Sequence, residues 1–442
     1  MHPRRELLAG GAILFMTFTA TLLNSVVPSA DPPVRPTPPR SLPDSPSATP
    51  PAGFGVEIAV SDLENVQHLP AVAYNWRHHE YLVLWHNEWG DGRRDIYAQR
   101  VSVAGQPLSG FTVTGGSHDR AQPAAAYDPD NDRFLVVWVY DVNGDGSNWD
   151  VYGRLIPWNG PDTNLTEFPI CKWGGNQWDP VVAYNAHPGW HEFFVFWTDT
   201  PAGGPAYISG RRIYASGAGF PSSGSDAIIA HAVDNRLNPR VTHNLVRNEY
   251  LMVYDNGEDV FASRLAASGA QLGGGEVHVA DWPETEARPD VASCTTTDQY
   301  LVVWQSWDST SAYDIYARLV GGDGALDGGR LHVYGTTAND KEPVVACGPG
   351  VRRFLVAWQE QYSGVTGPYG VSARFVEIDG SMDEPIALIS PYSGAERTDP
   401  AIASGPPSHL VVWEHDQLGS GFQDIHGRLY MPFNLFLPNF EK

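Results

Sequence analysis

The chain has 442 residues, 42% hydrophobic and 18% charged, which is enough apolar material for a sizeable core and excludes wholesale disorder. Its 51 acidic and 28 basic residues give a formal net charge of −23, a balance that argues against a nucleic-acid partner, because phosphate binding needs clustered Lys and Arg. With 45 glycines and 36 prolines, the composition suits many turns rather than long helices.

The N-terminus reads as an export signal. Arg4 and Arg5 form a basic flank, Leu7–Leu23 carries no charge, and small residues follow at Ser29 and Ala30. The RRELL run also resembles a twin-arginine signal. Left uncleaved, the apolar stretch sits at the lower limit of a spanning helix, so association with a membrane is expected only through this segment. Both readings place the body of the protein outside the cytoplasm. Residues 31–54 are rich in Pro and Ser and predict an extended spacer without a core. The expected organisation is a signal peptide or signal anchor over 1–30, this linker, a folded domain over 55–432, and a short apolar tail over 433–442.

Within the domain, a proline followed by an apolar run recurs seven times, at Pro70, Pro123, Pro180, Pro239, Pro289, Pro343 and Pro400. The intervals are 53, 57, 59, 50, 54 and 57 residues. A second run follows each proline and ends on an aromatic residue, as in YLVLW at Trp85, YLMVY at Tyr254 and HLVVW at Trp413. A third follows, such as DIYAQR from Asp95 or DIYAR from Asp314, and after a Gly-rich turn comes a fourth, such as EVHVA at 276–280. These runs are short, rich in Val and aromatic residues, and bounded by Gly, Asp, Asn or Pro, so they predict strands. The second run is apolar at nearly every position, which means burial on both faces. Seven such four-stranded units predict an all-β fold, a seven-bladed β-propeller with four antiparallel strands per blade. Little chain remains after Arg428 for a fourth strand in blade seven, whereas a spare strand, EIAVS at 57–61, precedes Pro70. The N-terminal strand is therefore expected to close the last blade.

The units resemble a repeat of bacterial extracellular β-propeller proteins in which a YLVVW strand is followed by DIYxxR. The resemblance spans roughly residues 57–430 and implies the fold; propellers host binding modules, hydrolases and lyases alike, so it does not choose a function.

Residues present in most blades belong to the scaffold, since one site needs each group once. This covers Asp95, Asp150, Asp259, Asp314 and Asp424 at the start of third strands, and Arg100, Arg154, Arg264, Arg318 and Arg428 at their ends. Cys294 and Cys347 lie in equivalent strands one position out of step, so their side chains are expected on opposite faces as buried free thiols. The histidines show no metal-ligand spacing, and His409, His415 and His426 read as substitutions at repeat positions.

Three features stand outside the repeat. In the loop YDVNGDGSNWD, Asp141, Asn143 and Asp145 alternate and Asp150 follows, a pattern whose oxygens can converge on Ca2+; the plain alternative is an Asp/Asn/Gly hairpin turn. Six tryptophans, Trp89, Trp149, Trp173, Trp178, Trp282 and Trp307, fall in loops assigned to one rim, where they suit a sugar face or a peptide, or else fold back as plugs. Charged residues lie just before the prolines, with Arg120, Arg288 and Arg397 candidates to clamp a carboxylate at the channel mouth, as in a sialidase-like enzyme, although the SxDxGxTW turn motif of sialidases is absent. The leading reading is a monomeric extracytoplasmic module that binds glycan or protein without catalysis. The alternatives are a carbohydrate-active hydrolase or lyase at the channel mouth, and a structural surface protein.

Overall fold

The computed structural model describes residues 53–431 except 62, 64, 215–226, 231–233, 295–296, 308–311, 349–351, 363–366, 383–386, 391–395, 407 and 417–422. The export signal, most of the linker and the C-terminal tail lie outside the described residues. Strand β1 (Phe54–Ser61) stands first. Blade one is β2 (Val66–Asn75), β3 (Glu80–Glu88), β4 (Arg94–Ser102) and β5 (Pro107–Thr114). Blade two is β6 (Arg120–Asp128), β7 (Arg133–Asp141), β8 (Trp149–Pro157) and the two-residue β9 (Phe168–Pro169). Blade three is β10 (Asn176–Asn185), β11 (Glu192–Thr200), β12 (Tyr207–Tyr214) and β13 (Ala227–Ala230). Blade four is β14 (Leu237–Asn244), β15 (Glu249–Asp255), β16 (Val260–Ala266) and β17 (Val277–Ala280). Blade five is β18 (Thr285–Cys294), β19 (Gln299–Trp307), β20 (Tyr313–Gly321) and β21 (Leu326–Tyr334). Blade six is β22 (Asp340–Cys347), β23 (Arg353–Gln361), β24 (Tyr369–Glu377) and β25 (Ala387–Ser390). Blade seven is β26 (Arg397–Gly405), β27 (Ser408–Asp416) and β28 (Gln423–Tyr430), and β1 pairs antiparallel with β28 as its fourth strand. The fold is thus an all-β, seven-bladed propeller closed by its N-terminal strand.

The core lies between blades. The aromatic residue that closes the apolar run of each second strand packs onto the preceding blade: Trp358 on Leu301 and Val303, Trp413 on Leu355 and Ala357, and, across the seam, Trp85 on Leu410 and Val412. Alternation then sends the next residue toward the following blade. At the same seam Tyr81 Oη donates to the Ser408 carbonyl at 2.8 Å. The ring of Tyr74 occupies the space that a Cβ on Gly405 would need, so the blades meet this closely only with glycine there.

The third-strand arginines differ by one register position, and that position decides their face. In DIYAQR-type strands Arg100, Arg212 and Arg264 pair opposite Leu82, Phe194 and Leu251, three residues before the second-strand aromatic. They bind a glutamate of their own blade: Arg100 grips Glu80 at 2.8 and 2.9 Å, and Arg264 grips Glu249. Where the run leading to the arginine is one residue shorter, as in DIYAR, Arg154, Arg318 and Arg374 pair two residues before the aromatic, opposite Val136, Val302 and Val356. They turn to the preceding blade and donate to carbonyls of its fourth-strand run, at Val113, Val279 and Val333. Three of the repeat's arginines therefore bind a glutamate of their own blade and three reach the preceding blade, while the seventh, Arg428, opposite Val411, lies 3.7 Å from Glu57 of β1.

Cys294 and Cys347 are disulfide-bonded with Cα atoms 5.3 Å apart, which corrects the expectation of free thiols. One step out of register does send the two side chains to opposite faces, but of two blades that stack face to face. The back of one strand then looks at the front of the next, and opposite faces meet. Cys171 is buried and stands outside the disulfide.

Candidate functional site

The seven proline strands are innermost and line one central channel of about 490 Å³. Each carries a bulge just ahead of its proline, seen as register breaks at Ala121/Ala124, Trp178/Val181 and Thr398/Ala401 and at the matching places in the other blades. In every blade the residue before the proline is left-handed: Leu69, Gln122, Asp179, Asn238, Arg288, Glu342 and Asp399 have φ between 49° and 54°. A non-glycine residue there costs about 1–2 kcal/mol relative to glycine. Six of these seven positions nonetheless hold polar or charged side chains, and all of these but Asn238 line the channel.

The bulge also turns an amide out of the ladder, and a side chain of the preceding blade accepts it. Leu69 N donates to Glu414 Oε1 at 2.7 Å; Arg288 N donates to Asp255, Glu342 N to Gln305 and Asp399 N to Gln359, each at 3.0 Å. All four acceptors directly follow the second-strand aromatic, on the face that looks at the next blade. Blade two has Val139 in that place, and there Gln122 Oε1 accepts from Asp179 N at 3.0 Å instead. This inter-blade clasp went unread in the sequence, where its signal was a polar residue breaking the apolar run just after the aromatic.

Around the mouth the groups are linked. Gln122 Nε2 donates to Asp179 at 3.0 Å, Arg288 donates to Asn238 at 3.1 Å, and Arg288 and Glu342 form an ion pair at 3.7 Å. Burial, reinforced by the charges of Glu414 and Glu342, pushes the Asp399 carboxyl up to about 7. Deeper, burial lifts Asp290 to about 6 against the opposing charge of Arg240. The mouth thus combines a carboxyl that holds its proton near neutrality, an ion-paired carboxylate, a guanidinium and two amides.

The structure brings Arg288 to this mouth but not Arg120 or Arg397. Those two lie three residues before their prolines, ahead of the bulge, and are buried inside blades two and seven. Arg120 packs 4.5 Å from the Tyr140 ring and pairs with Glu167 at 3.6 Å, and Arg397 approaches Glu57 at 4.0 Å. The three-arginine clamp expected from the sequence is not assembled. The bulge is the reason: it offsets the alternation, so residues before it face neighbouring strands while the left-handed residue faces the channel.

In blade five this interior slot holds Glu286, fully buried, with no side chain donating to its carboxylate. Burial, then Glu284 and Asp259, push it from its ordinary 4.5 up to about 9. The folded state therefore binds a proton that the unfolded chain has released, and stability falls as pH rises from about 4.5 to about 9. Glu286→Gln removes this titration. It is expected to melt above the parent at pH 7, by on the order of 3 kcal/mol, with the gap closing toward pH 4. Melting curves of both proteins from pH 4 to 9 check it, and parallel curves would refute it.

The six rim tryptophans are held in different ways. Trp149 is buried and meets Trp178 at 5.2 Å; Trp89 donates to Asp95 at 2.8 Å; Trp282 stacks on Trp304 with Arg330 on it at 4.8 Å; and Trp173 packs against the core between blades two and three. Trp307 is the one in the open, at 40% exposure. On the opposite rim Trp76 reaches 53%. In the blade-two loop, Asp141 accepts the amides of Gly144 and Gly146, at 3.1 and 2.7 Å, and Asp145 accepts from Ser147, so both cap the turn. Asp150 is buried beneath, raised by burial to about 6 against the pull of Lys172. Among the described residues, the one group of three His, Cys, Asp or Glu donors close enough to share an ion is elsewhere, in blade seven.

No family model matches the sequence, and no curated protein does. Solved structures share its fold. A polysaccharide lyase, Uly1, superposes with a TM-score of 0.51 at 9% identity, over 86% of this chain and 99% of that one. An α-L-arabinanase of Penicillium chrysogenum does so at 0.50 and 13% identity, over 86% and 98%. The NanB sialidase of Streptococcus pneumoniae follows at 0.46 and 9%, over 86% and 71%. At such identities the likeness to the lyase and to the arabinanase is one of fold.

Proposed function

We propose that this is an extracytoplasmic propeller that binds a glycan at the channel mouth. The observation that carries the reading is the ring of left-handed residues. Glycine would fit the backbone at lower cost, yet Gln122, Asp179, Arg288, Glu342 and Asp399 line a channel of about 490 Å³, the size of a small-ligand site, with Asn238 bonded to Arg288 beside it. Planar amides, carboxyls and a guanidinium offer paired donors and acceptors that match neighbouring sugar hydroxyls. Trp307 is available as an aromatic platform. The sugar-acting proteins of like fold agree with this ligand class by analogy.

A second reading, catalysis on the same ligand, is favoured by the unequal carboxyls. Asp399 keeps its proton near neutrality, while Glu342 is ion-paired to Arg288, the division of roles that acid and base need. A glycan array, with Arg288→Ala and Glu342→Gln variants, tests the site; both variants are expected to weaken binding at least about tenfold. A hit that survives both variants would move the ligand off the channel mouth, and an array without hits would leave a protein partner. Incubating the hits with the parent and with Asp399→Asn separates the readings: cleavage lost in the variant while binding persists identifies the enzyme, and intact sugars identify the binding module.

A further inference from the structure

The ring seam gathers a donor set that neither the repeat nor the channel mouth uses. His415 on β27 and His426 on β28 face each other as stacked rings, 4.0 Å apart and 12° from parallel. Glu57, from β1, reaches over both: its Oε1 lies 2.8 Å from His426 Nδ1 and 3.6 Å from His415 Nδ1. The three donor atoms fall within 4.8 Å of one another, and each residue is half-buried, so the cluster is shielded yet open to a small ion. His415 Nδ1 is buried and makes no hydrogen bond.

We propose that Glu57, His415 and His426 bind one divalent transition-metal ion of the zinc class and that the ion fastens the ring closure. Two imidazole nitrogens and one carboxylate form a donor set for Zn2+ and its neighbours rather than for Ca2+ or Mg2+, which take oxygen ligands. Two guanidiniums oppose the ion, Arg428 at 3.7 Å from Glu57 Oε2 and Arg397 at 4.0 Å from Oε1. Their charges weaken the site for a cation. Because Glu57 enters from the start of the domain and the histidines from its end, a bound ion cross-links the strand pair that closes the ring.

The test uses the metal-free full chain titrated calorimetrically with Zn2+, and with Co2+ followed by its visible ligand-field absorption. Expected are one ion per chain, loss of binding in His415→Ala and in His426→Ala, and weakening by about tenfold or more in Glu57→Gln. A His68→Ala/His86→Ala variant, which removes the other close histidine pair, is expected to bind as the parent does. Zn2+ should also slow hydrogen exchange in β1 while leaving β11 unchanged, a readout that surface adsorption would not give. If the histidine variants fail to fold, protection of His415 and His426 from carbethoxylation by Zn2+ in the parent reads the same site. The proposal is overturned by absence of stoichiometric binding, by histidine variants that bind like the parent, or by binding that leaves β1 exchange and His415 and His426 reactivity unaltered.

Discussion

A chain lacking residues 54–61 is expected to melt roughly 6–11 °C below the parent and to aggregate on heating. Strand β1 registers Phe54, Glu57, Ile58, Ala59 and Ser61 against Tyr430, Arg428, Gly427, His426 and Ile425. It is bound at both neighbouring interfaces. Ile58 and Val60 lie in the cluster that joins Tyr81, Val83 and Trp85 of blade one to Leu410 and Val412 of blade seven. Phe54 lies in the cluster shared with Leu355 and Phe375 of blade six. All three side chains are buried, at about 1.5–3 kcal/mol each, so roughly 5–9 kcal/mol of burial goes with the strand. At about 2.1 cal/mol/K per residue of unfolding entropy, a domain of this size converts that to the stated shift. The deletion also bares the β28 edge, a template for pairing with another chain. Calorimetry of the two proteins measures the effect, and a synthetic FGVEIAVS peptide added in trans should restore part of it. A truncation that melts with the parent would mean that the ring is held shut by something other than this strand.

The blade count, strand order and closing strand were legible because their signals are local. A proline, an apolar run and a bounding turn mark each strand within a dozen residues, and the missing fourth strand of blade seven could be counted. What stayed hidden depends on which face a residue takes between two blades. The extra residue of DIYAQR over DIYAR is plain in the sequence, but only the pleat turns it into a choice between Glu80 and the carbonyl of a neighbouring blade. Arg120 and Arg397 sit two positions from residues that do line the channel, and the intervening bulge puts them inside the blades. His415 and His426 look like scattered substitutions until the sheet sets their strands side by side and brings Glu57 from the other end of the domain. The channel ring is half visible: the charged residues before the prolines stand plainly in the sequence, but the left-handed backbone that presents them does not.

Reduction of the Cys294–Cys347 bond, or Cys294→Ser, is expected to lower the melting temperature by roughly 5 °C, the second large effect. The bridge spans 53 residues, nearly one whole repeat, and closing a loop of that length in the unfolded chain corresponds to about 4 kcal/mol in the chain-entropy account. Its place in the repeat explains why blades five and six use it. In blades one to four the residue five positions after the proline is Asn75, Asp128, Asn185 or Asn244, whose side-chain oxygen accepts amides of the following turn, as Asn75 does from Arg77 and His78. Cys294 occupies that position in blade five, so the turn loses its side-chain acceptor and gains a covalent tie to the next blade. The bridge joins consecutive blades and does not cross the ring seam. Its loss should therefore loosen blades five and six while leaving β1 protected from exchange, whereas deleting β1 should do the reverse at blades seven and one. Hydrogen exchange on the reduced and oxidised protein distinguishes these patterns. Equal melting of the two forms would mean that the thiols contribute nothing to the fold, and protection lost throughout the ring would mean that the blades unfold as one unit.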